Sequence, residues 1–72
     1  MAKPTRVTNR IRQLRIDQNA MTQAELAEQV GVTRQTVNAI EKGKYSPSLE
    51  VAFLISRVLG RRLEDVFDYP LD

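Results

Sequence analysis

The feature that most constrains the fold is a pair of helical segments separated by only three residues, Gly31, Val32 and Thr33. Upstream, Thr22 and Glu25 have the spacing of a capping box, in which each side chain accepts a hydrogen bond from the other's backbone N–H. Glycine, present here as Gly31, commonly ends a helix, and threonine, present as Thr33, is favoured at the N-cap of the next helix. The sequence therefore predicts two short helices that cross at a sharp angle.

The apolar positions of both segments agree with this crossing. They recur at helical spacing and include Leu26, Ala27, Val30, Val37 and Ile40. The small side chain of Ala27 allows the two helices to approach closely. We therefore predict a helix-turn-helix unit over residues 23–42.

Further elements follow from the same periodicity. A first helix is predicted from about residue 9 to residue 19. For a helix over residues 49–59, Ser48 is a better N-cap than Ser46, because Pro47 disfavours helical geometry at Ser46. The segment LEDVF predicts one or two further helical turns. Apolar and polar residues alternate weakly at residues 5–8 and 67–71, a pattern compatible with two short strands.

Length and composition restrict the class of protein. The chain has 72 residues, which predicts one domain over residues 1–72. A domain this small must either use its core well or gain stability by oligomerising. It contains no cysteine and no histidine, so disulfides, the usual general base and the usual zinc ligand are all missing from the sequence. We expect no enzymatic activity, no cofactor and no small-molecule ligand. Without an apolar run of membrane-spanning length, we expect a cytoplasmic protein that makes no membrane contact.

The net charge of +2 is unevenly distributed. Residues 1–15 carry only basic charges, on Lys3, Arg6, Arg10, Arg12 and Arg15. Residues 63–72 carry only acidic charges, on Glu64, Asp65, Asp68 and Asp72. A basic end favours binding to a polyanion such as nucleic acid, although lopsided charge is also common in small soluble proteins.

The segment MTQAELAEQVGVTRQTVNAIEKGKYSPSLE resembles the Cro/repressor-type family, also called the xenobiotic-response-element family. The resemblance covers roughly residues 9–67. It implies an all-α, five-helix, lambda-repressor-like DNA-binding domain whose second and third helices form the helix-turn-helix. Some short members also pair an N-terminal with a C-terminal strand and form homodimers, so we expect the same of residues 5–8 and 67–71.

The resemblance also implies roles for individual residues. The positions that face base edges are Arg34, Gln35, Asn38 and Ala39. The positions that face the DNA backbone are Gln23, Thr33, Lys42, Lys44, Tyr45 and Ser46. The resemblance also implies that Gln23 braces the next helix. Arginine offers two donors to guanine, glutamine or asparagine offers a donor and an acceptor to adenine, and a methyl group can contact thymine. The alternative is an ordinary solvated face, because polar residues belong on the outside of a helix.

The helix over residues 49–59 is apolar on nearly every face, which indicates burial on every face. One explanation is a central core helix. The other is a homodimer interface, for which we predict Val51, Leu54, Val58, Arg61 and Tyr69.

We therefore expect a prokaryotic, nucleoid-associated, homodimeric repressor or autoregulator that recognises a palindromic operator on double-stranded DNA. The alternative function is a protein-interaction module, such as an antitoxin or a controller component of a two-gene system. Leu54, Val58, Phe53 and the acidic tail would then form its binding surface.

Two features depart from the family pattern. The family commonly pairs a first-helix arginine with the acid at Glu41, and Arg15 is the candidate here. The segment RIDQNAMTQ is longer than the commonest spacing, which leaves that pairing open. Arg62 stands where serine or threonine often caps the last helix, so the start of that helix is also open.

Overall fold

The computed structural model describes residues 4–71, which form five helices and a two-stranded antiparallel sheet. The helices are α1 (Ile11–Asp17), α2 (Gln23–Val30), α3 (Arg34–Glu41), α4 (Leu49–Val58) and α5 (Leu63–Val66), and the strands are β1 (Thr8–Asn9) and β2 (Phe67–Asp68). The predicted five-helix fold with a small terminal sheet is therefore confirmed. Lys3 and Asp72, which contribute to the basic and acidic ends of the sequence, lie outside the described residues.

The predicted helix caps form as hydrogen bonds. Thr22 Oγ1 accepts from the Glu25 N–H at 3.0 Å, and Glu25 Oε1 accepts from the Thr22 N–H at 2.8 Å, which completes the capping box. Thr33 Oγ1 caps α3 by accepting from Thr36 N at 3.1 Å, and Ser48 caps α4 in the same way. Gly31 ends α2 with φ +90°, in the left-handed region that glycine adopts without a steric penalty.

A single hydrophobic core holds the helices together. Its members are Ile11, Leu14, Leu26, Ala27, Val30, Val37, Ile40, Ile55, Leu59 and Val66. The buried face of α3, formed by Val37 and Ile40, belongs to this core, and so do all the apolar residues predicted for α2. Because α2 and α3 are fixed through the same core, the opposite face of α3 has a defined orientation.

The first helix is shorter than predicted. It ends at Asp17 rather than near residue 19, because Asn19 and Ala20 have φ of +56° and +55° and leave the helical region. These two left-handed residues form a compact turn that returns the chain, so that Met21 N donates to Arg15 O at 2.9 Å.

The strands also differ from the predicted ranges. Pairing joins Thr8 to Asp68 and Asn9 to Phe67, so the sheet is much shorter than residues 5–8 and 67–71. The side chain of Asn9 donates to Ile40 O at 2.9 Å and accepts from the Ile11 N–H at 3.1 Å. Asn9 thereby fixes β1 between the start of α1 and the end of α3.

The apolar helix α4 is buried on one side only. Ala52, Ile55 and Ser56 are buried, whereas Leu49, Phe53 and Leu54 remain exposed by 68%, 47% and 37%. A central core helix within one chain is therefore the wrong explanation for its apolar faces.

The last helix α5 is a single turn, and its N-cap residue, Arg62, makes no side-chain capping hydrogen bond. Within residues 4–71, no helix has the length and hydrophobicity needed to cross a membrane.

Candidate nucleic-acid interface

The outer face of α3 carries the side chains predicted to face base edges. Arg34 and Gln35 are exposed, and Asn38 and Ala39 are half-buried. At roughly 100° per residue, these four lie opposite the buried pair Val37 and Ile40. The helix therefore presents a polar surface whose position is set by the core behind it.

Three of the predicted DNA-contact residues are connected by hydrogen bonds through Gln23. Gln23 Nε2 donates to Asn38 Oδ1 at 3.2 Å and to Glu41 Oε1 at 3.1 Å. Gln23 Oε1 accepts from Arg34 Nη1 at 3.3 Å. We call Gln23, Arg34, Asn38 and Glu41 the Gln23 network. It joins the first turn of α2 to the polar side of α3.

An ion pair lies behind this network. Arg15 Nε donates to Glu41 Oε2 at 2.6 Å, and Arg15 Nη2 donates to Glu41 Oε1 at 3.1 Å. A third bond runs from Arg15 Nη1 to Met21 O at 2.7 Å. The two side chains are only 10% and 7% exposed, so the pair is largely removed from water. The pairing that the sequence left open therefore forms, and Met21, which follows the left-handed turn at residues 19–20, supplies a further acceptor to the arginine.

The segment after α3 displays the remaining residues predicted to contact the DNA backbone. Gly43 has φ +70° and turns the chain away from the helix, while Lys44 N donates to Ala39 O at 3.0 Å. Four side chains of this segment are exposed, those of Lys42, Lys44, Tyr45 and Ser46. They supply two cationic groups and two hydroxyl groups to solvent. Their contact with DNA stays a prediction.

Thr33 and Gln35 stand outside the Gln23 network. The hydroxyl of Thr33 is already engaged, because it caps α3 and lies 3.0 Å from the Thr36 hydroxyl. The exposed side chain of Gln35 makes no hydrogen bond with any residue between 4 and 71. Its amide can therefore bind an external group without first breaking an internal contact.

The predicted dimer residues do not form one cluster within the chain. Val51, Leu54 and Val58 share one flank of α4 by their helical spacing, and Arg61 is exposed just after that helix. Tyr69 follows β2, where its ring centroid lies 5.6 Å from the guanidinium carbon of Arg6. The role of all five in a dimer stays a prediction.

Sequence reasoning missed the second role of Glu41. We assigned this residue only to the ion pair with Arg15, whereas its Oε1 atom also accepts from Gln23. The spacing of three residues between Asn38 and Glu41 was the available indication, because it places both on the same side of α3.

Comparison with known proteins agrees with this geometry. The family model described as Helix-turn-helix matches residues 11–66. An uncharacterized HTH-type transcriptional regulator of Methanocaldococcus jannaschii is 54% identical over 52 residues, which cover 72% of this chain and 79% of the relative. Another from Archaeoglobus fulgidus is 53% identical over 58 residues, which cover 81% of each chain.

A solved structure shares the fold. The crystal structure of a proposed DNA-binding protein from Bacteroides fragilis superimposes with a TM-score of 0.76 at 24% identity, covering 86% of this chain and 98% of that one. The family consists of transcriptional regulators and not of enzymes. The chain belongs to the helix-turn-helix family of DNA-binding transcriptional regulators, of the Cro/repressor type.

Proposed function

We propose that this protein is a homodimeric repressor or autoregulator that inserts α3 into the major groove of a palindromic operator. The observation that carries the proposal is the polar face of α3, which projects from a fully packed helix pair. Because Val37 and Ile40 on the opposite face are buried, α3 cannot rotate without disrupting the core. A rigid helix with long donor and acceptor side chains is what base recognition in the major groove requires.

Each side chain of this face has a distinct chemical use. Arg34 provides paired donors that match guanine O6 and N7. Gln35 and Asn38 provide amides, and the methyl group of Ala39 fits beside a thymine methyl. Lys42 and Lys44 add positive charge that attracts phosphates without regard to sequence.

The exposed apolar surface of α4 supports the dimer. Leu54 is 37% exposed, and the half-buried Val51 and Val58 lie on the same flank. Covering this surface with its equivalent on a second copy removes apolar area from water, which stabilises a small domain. Arg61 and Tyr69 extend the proposed contact at its polar edge.

A two-fold pair would also suit the geometry of DNA. Recognition helices of a dimer must lie about 34 Å apart, which is one turn of the double helix. The chain measures 33 × 25 × 20 Å, so two copies side by side are of the right size to meet this spacing. A dimer bound across a promoter would exclude RNA polymerase sterically.

Selection of bound duplexes from a random library tests the base-reading role. We expect a palindromic consensus for the wild type, and loss of preference at one position per half-site for Gln35→Ala. The matched control is Gln29→Ala, which changes an exposed glutamine of α2 that we do not place at the DNA. Absence of any preferred sequence at moderate salt would contradict the proposal.

Light scattering tests the dimer. We expect the wild type at the mass of two chains and Leu54→Glu at the mass of one, because a charge would be buried at the interface. Leu49→Glu is the matched control, since Leu49 is more exposed and lies on the other flank of α4. A dimer that survives Leu54→Glu would place the interface elsewhere.

A second candidate function is supported by a different surface. The exposed Leu49 lines a shallow apolar groove together with Val7, Leu63 and Phe67, and Phe53 is exposed on the same helix. Such a surface suits an interaction module that binds another protein. A wild-type chain that stays monomeric and binds no preferred duplex would favour this alternative over the repressor.

A further inference from the structure

The exposed side of α4 carries a charge at each end and apolar side chains between them. Four residues stand at the spacing i, i+3, i+4 and i+7, which places them on one face of a helix: Glu50, Phe53, Leu54 and Arg57. All four side chains are exposed, Phe53 by 47% and Leu54 by 37%. We call these four residues the Glu50–Arg57 face.

Neither charge of this face is neutralised within its own chain. Glu50 and Arg57 make no side-chain hydrogen bond and no ion pair with any residue between 4 and 71. Two helical turns, about 10 Å along the axis, separate them. The side chains one turn inward from each are the apolar Phe53 and Leu54, so neither charge has a helical neighbour of opposite sign. An acid and a base therefore remain available to another molecule.

We propose that the Glu50–Arg57 face packs against the same face of a second copy with the two helices antiparallel, so that Glu50 of each protomer forms an ion pair with the partner's Arg57. The proposal rests on the proposed homodimer. It adds the direction of the two helices and the residues that fix it, and it brings in Phe53, which was not among the predicted dimer residues.

The order of residues along the face makes the face complementary to itself. In a two-fold dimer the same surface of both chains forms the contact. When the two-fold axis crosses α4 between Phe53 and Leu54, Phe53 faces the partner's Leu54 and Glu50 faces the partner's Arg57. Every contact is then made twice, with apolar side chains at the centre and opposite charges at both edges.

The charges also select between the two possible directions of the helices. In a parallel pair, Glu50 would face the partner's Glu50 and Arg57 would face the partner's Arg57, so both contacts would be repulsive. An antiparallel pair makes both contacts attractive. It also sets the positive N-terminal end of each helix beside the negative C-terminal end of the other. Complementary charges of this kind fix the register of an interface, while the apolar centre supplies the area removed from water.

Charge reversal tests the pairing. Glu50→Arg sets two arginines against each other at both edges of the helix pair, and Arg57→Glu sets two glutamates against each other. Each variant turns two attractive contacts into two repulsive ones, so we expect the dissociation constant of the dimer to rise roughly 10- to 100-fold in sedimentation equilibrium. The matched controls are Glu28→Arg and Arg12→Glu, which reverse exposed charges on α2 and α1 and should leave the dissociation constant unchanged.

An equimolar mixture of the two single variants is the sharpest measurement. A mixed dimer pairs the introduced arginine of one chain with the introduced glutamate of the other at one edge, and the original charges at the other edge. We therefore expect the mixture to associate almost as tightly as the wild type, although neither variant does so alone. The double variant Glu50→Arg/Arg57→Glu should dimerise with itself for the same reason. Native mass spectrometry identifies the mixed dimer by its mass.

Two results would overturn the proposal. One is an unchanged dissociation constant in the single variants, which parallel helices or an interface on another surface would produce. The other is a mixture that stays as weakly associated as its components. A monomeric wild type would instead contradict the proposed homodimer itself, and would indicate that a different protein covers this face.

Salt dependence gives a second arm that the wild type alone can carry. Raising the salt concentration to about 1 M shortens the Debye length to about 3 Å and screens exposed ion pairs. We expect the dissociation constant of the wild type to rise, and those of Glu50→Arg and Arg57→Glu to fall as their repulsion is screened. A wild-type dimer that tightens with salt would overturn the proposal even if the variants did not fold.

Discussion

Replacing Arg15 by methionine should destabilise the domain severely, although the residue lies outside the polar face of α3. The substitution removes two hydrogen bonds to Glu41 and one to Met21 O. It leaves a carboxylate that is only 7% exposed without its cation. Breaking a buried ion pair by removing one partner costs about 3–5 kcal/mol of folding free energy.

This cost is large for a chain of this size. Natural domains have a stability of roughly 0.05–0.15 kcal/mol per residue, which corresponds to about 4–11 kcal/mol for 72 residues. In a domain of this length, each kcal/mol lowers the melting temperature by about 4–8 °C. We therefore expect Arg15→Met to melt at least ~12 °C below the wild type, or to be largely unfolded.

The chain contains a matched control. Arg62 pairs with Glu64 at 3.5 Å, but these side chains are 80% and 70% exposed. Exposed pairs contribute at most about 1 kcal/mol, so Arg62→Met should leave stability almost unchanged. Urea unfolding followed by circular dichroism measures both variants, at one fixed protein concentration because dimerisation would add to the apparent stability.

A double substitution separates the stability lost through the unpaired charge from the stability lost through packing. Arg15→Met combined with Glu41→Leu removes both charges, and we expect it to recover much of the stability lost in the single variant. If Arg15→Met behaved like Arg62→Met, to within about 1 kcal/mol, the reasoning from burial would be wrong.

Three further predictions concern other parts of the fold and are tested by urea unfolding. Leu26→Ala should lower the free energy of unfolding by about 2–5 kcal/mol, because this side chain is fully buried. Leu49→Ala, at an exposed position, should lower it far less. Equal losses would contradict the assigned core. Thr33→Ala should cost about 1 kcal/mol by removing the cap of α3, and an unchanged midpoint would mean that the cap is dispensable. Ala20→Gly should stabilise the domain by about 0.5–1 kcal/mol, because relief of the left-handed strain exceeds the added entropy of the unfolded chain; a destabilised variant would refute this.

The network around Gln23 connects a buried ion pair to the polar face of α3. Glu41 lies behind the polar face and touches both Arg15 and Gln23. A change at Glu41 would therefore affect stability and base preference together, whereas a change at Gln35 should affect base preference alone. Variants that alter specificity need not lie at the proposed DNA surface.

The sequence by itself determined the starts of α2, α3 and α4 and the turn between α2 and α3. The capping box at Thr22 and Glu25, the cap at Thr33 and the left-handed Gly31 all form as predicted. These features depend on hydrogen bonds and dihedral angles among residues at most a few positions apart, so they are visible in the order of residues. The core of α2 and α3 was equally predictable, because helical periodicity fixes which side chains share a face.

Only the tertiary structure decided how distant polar groups pair. The sequence left the Arg15–Glu41 pair open, because the long segment between α1 and α2 could place Arg15 anywhere around the helix-turn-helix. In the structure, α1 packs into the common core through Ile11 and Leu14, and this packing places Arg15 beside Glu41. The bonds from Gln23 to Asn38 and Glu41 join residues 15 and 18 positions apart. Their geometry depends on the crossing of two packed helices, which no local pattern encodes.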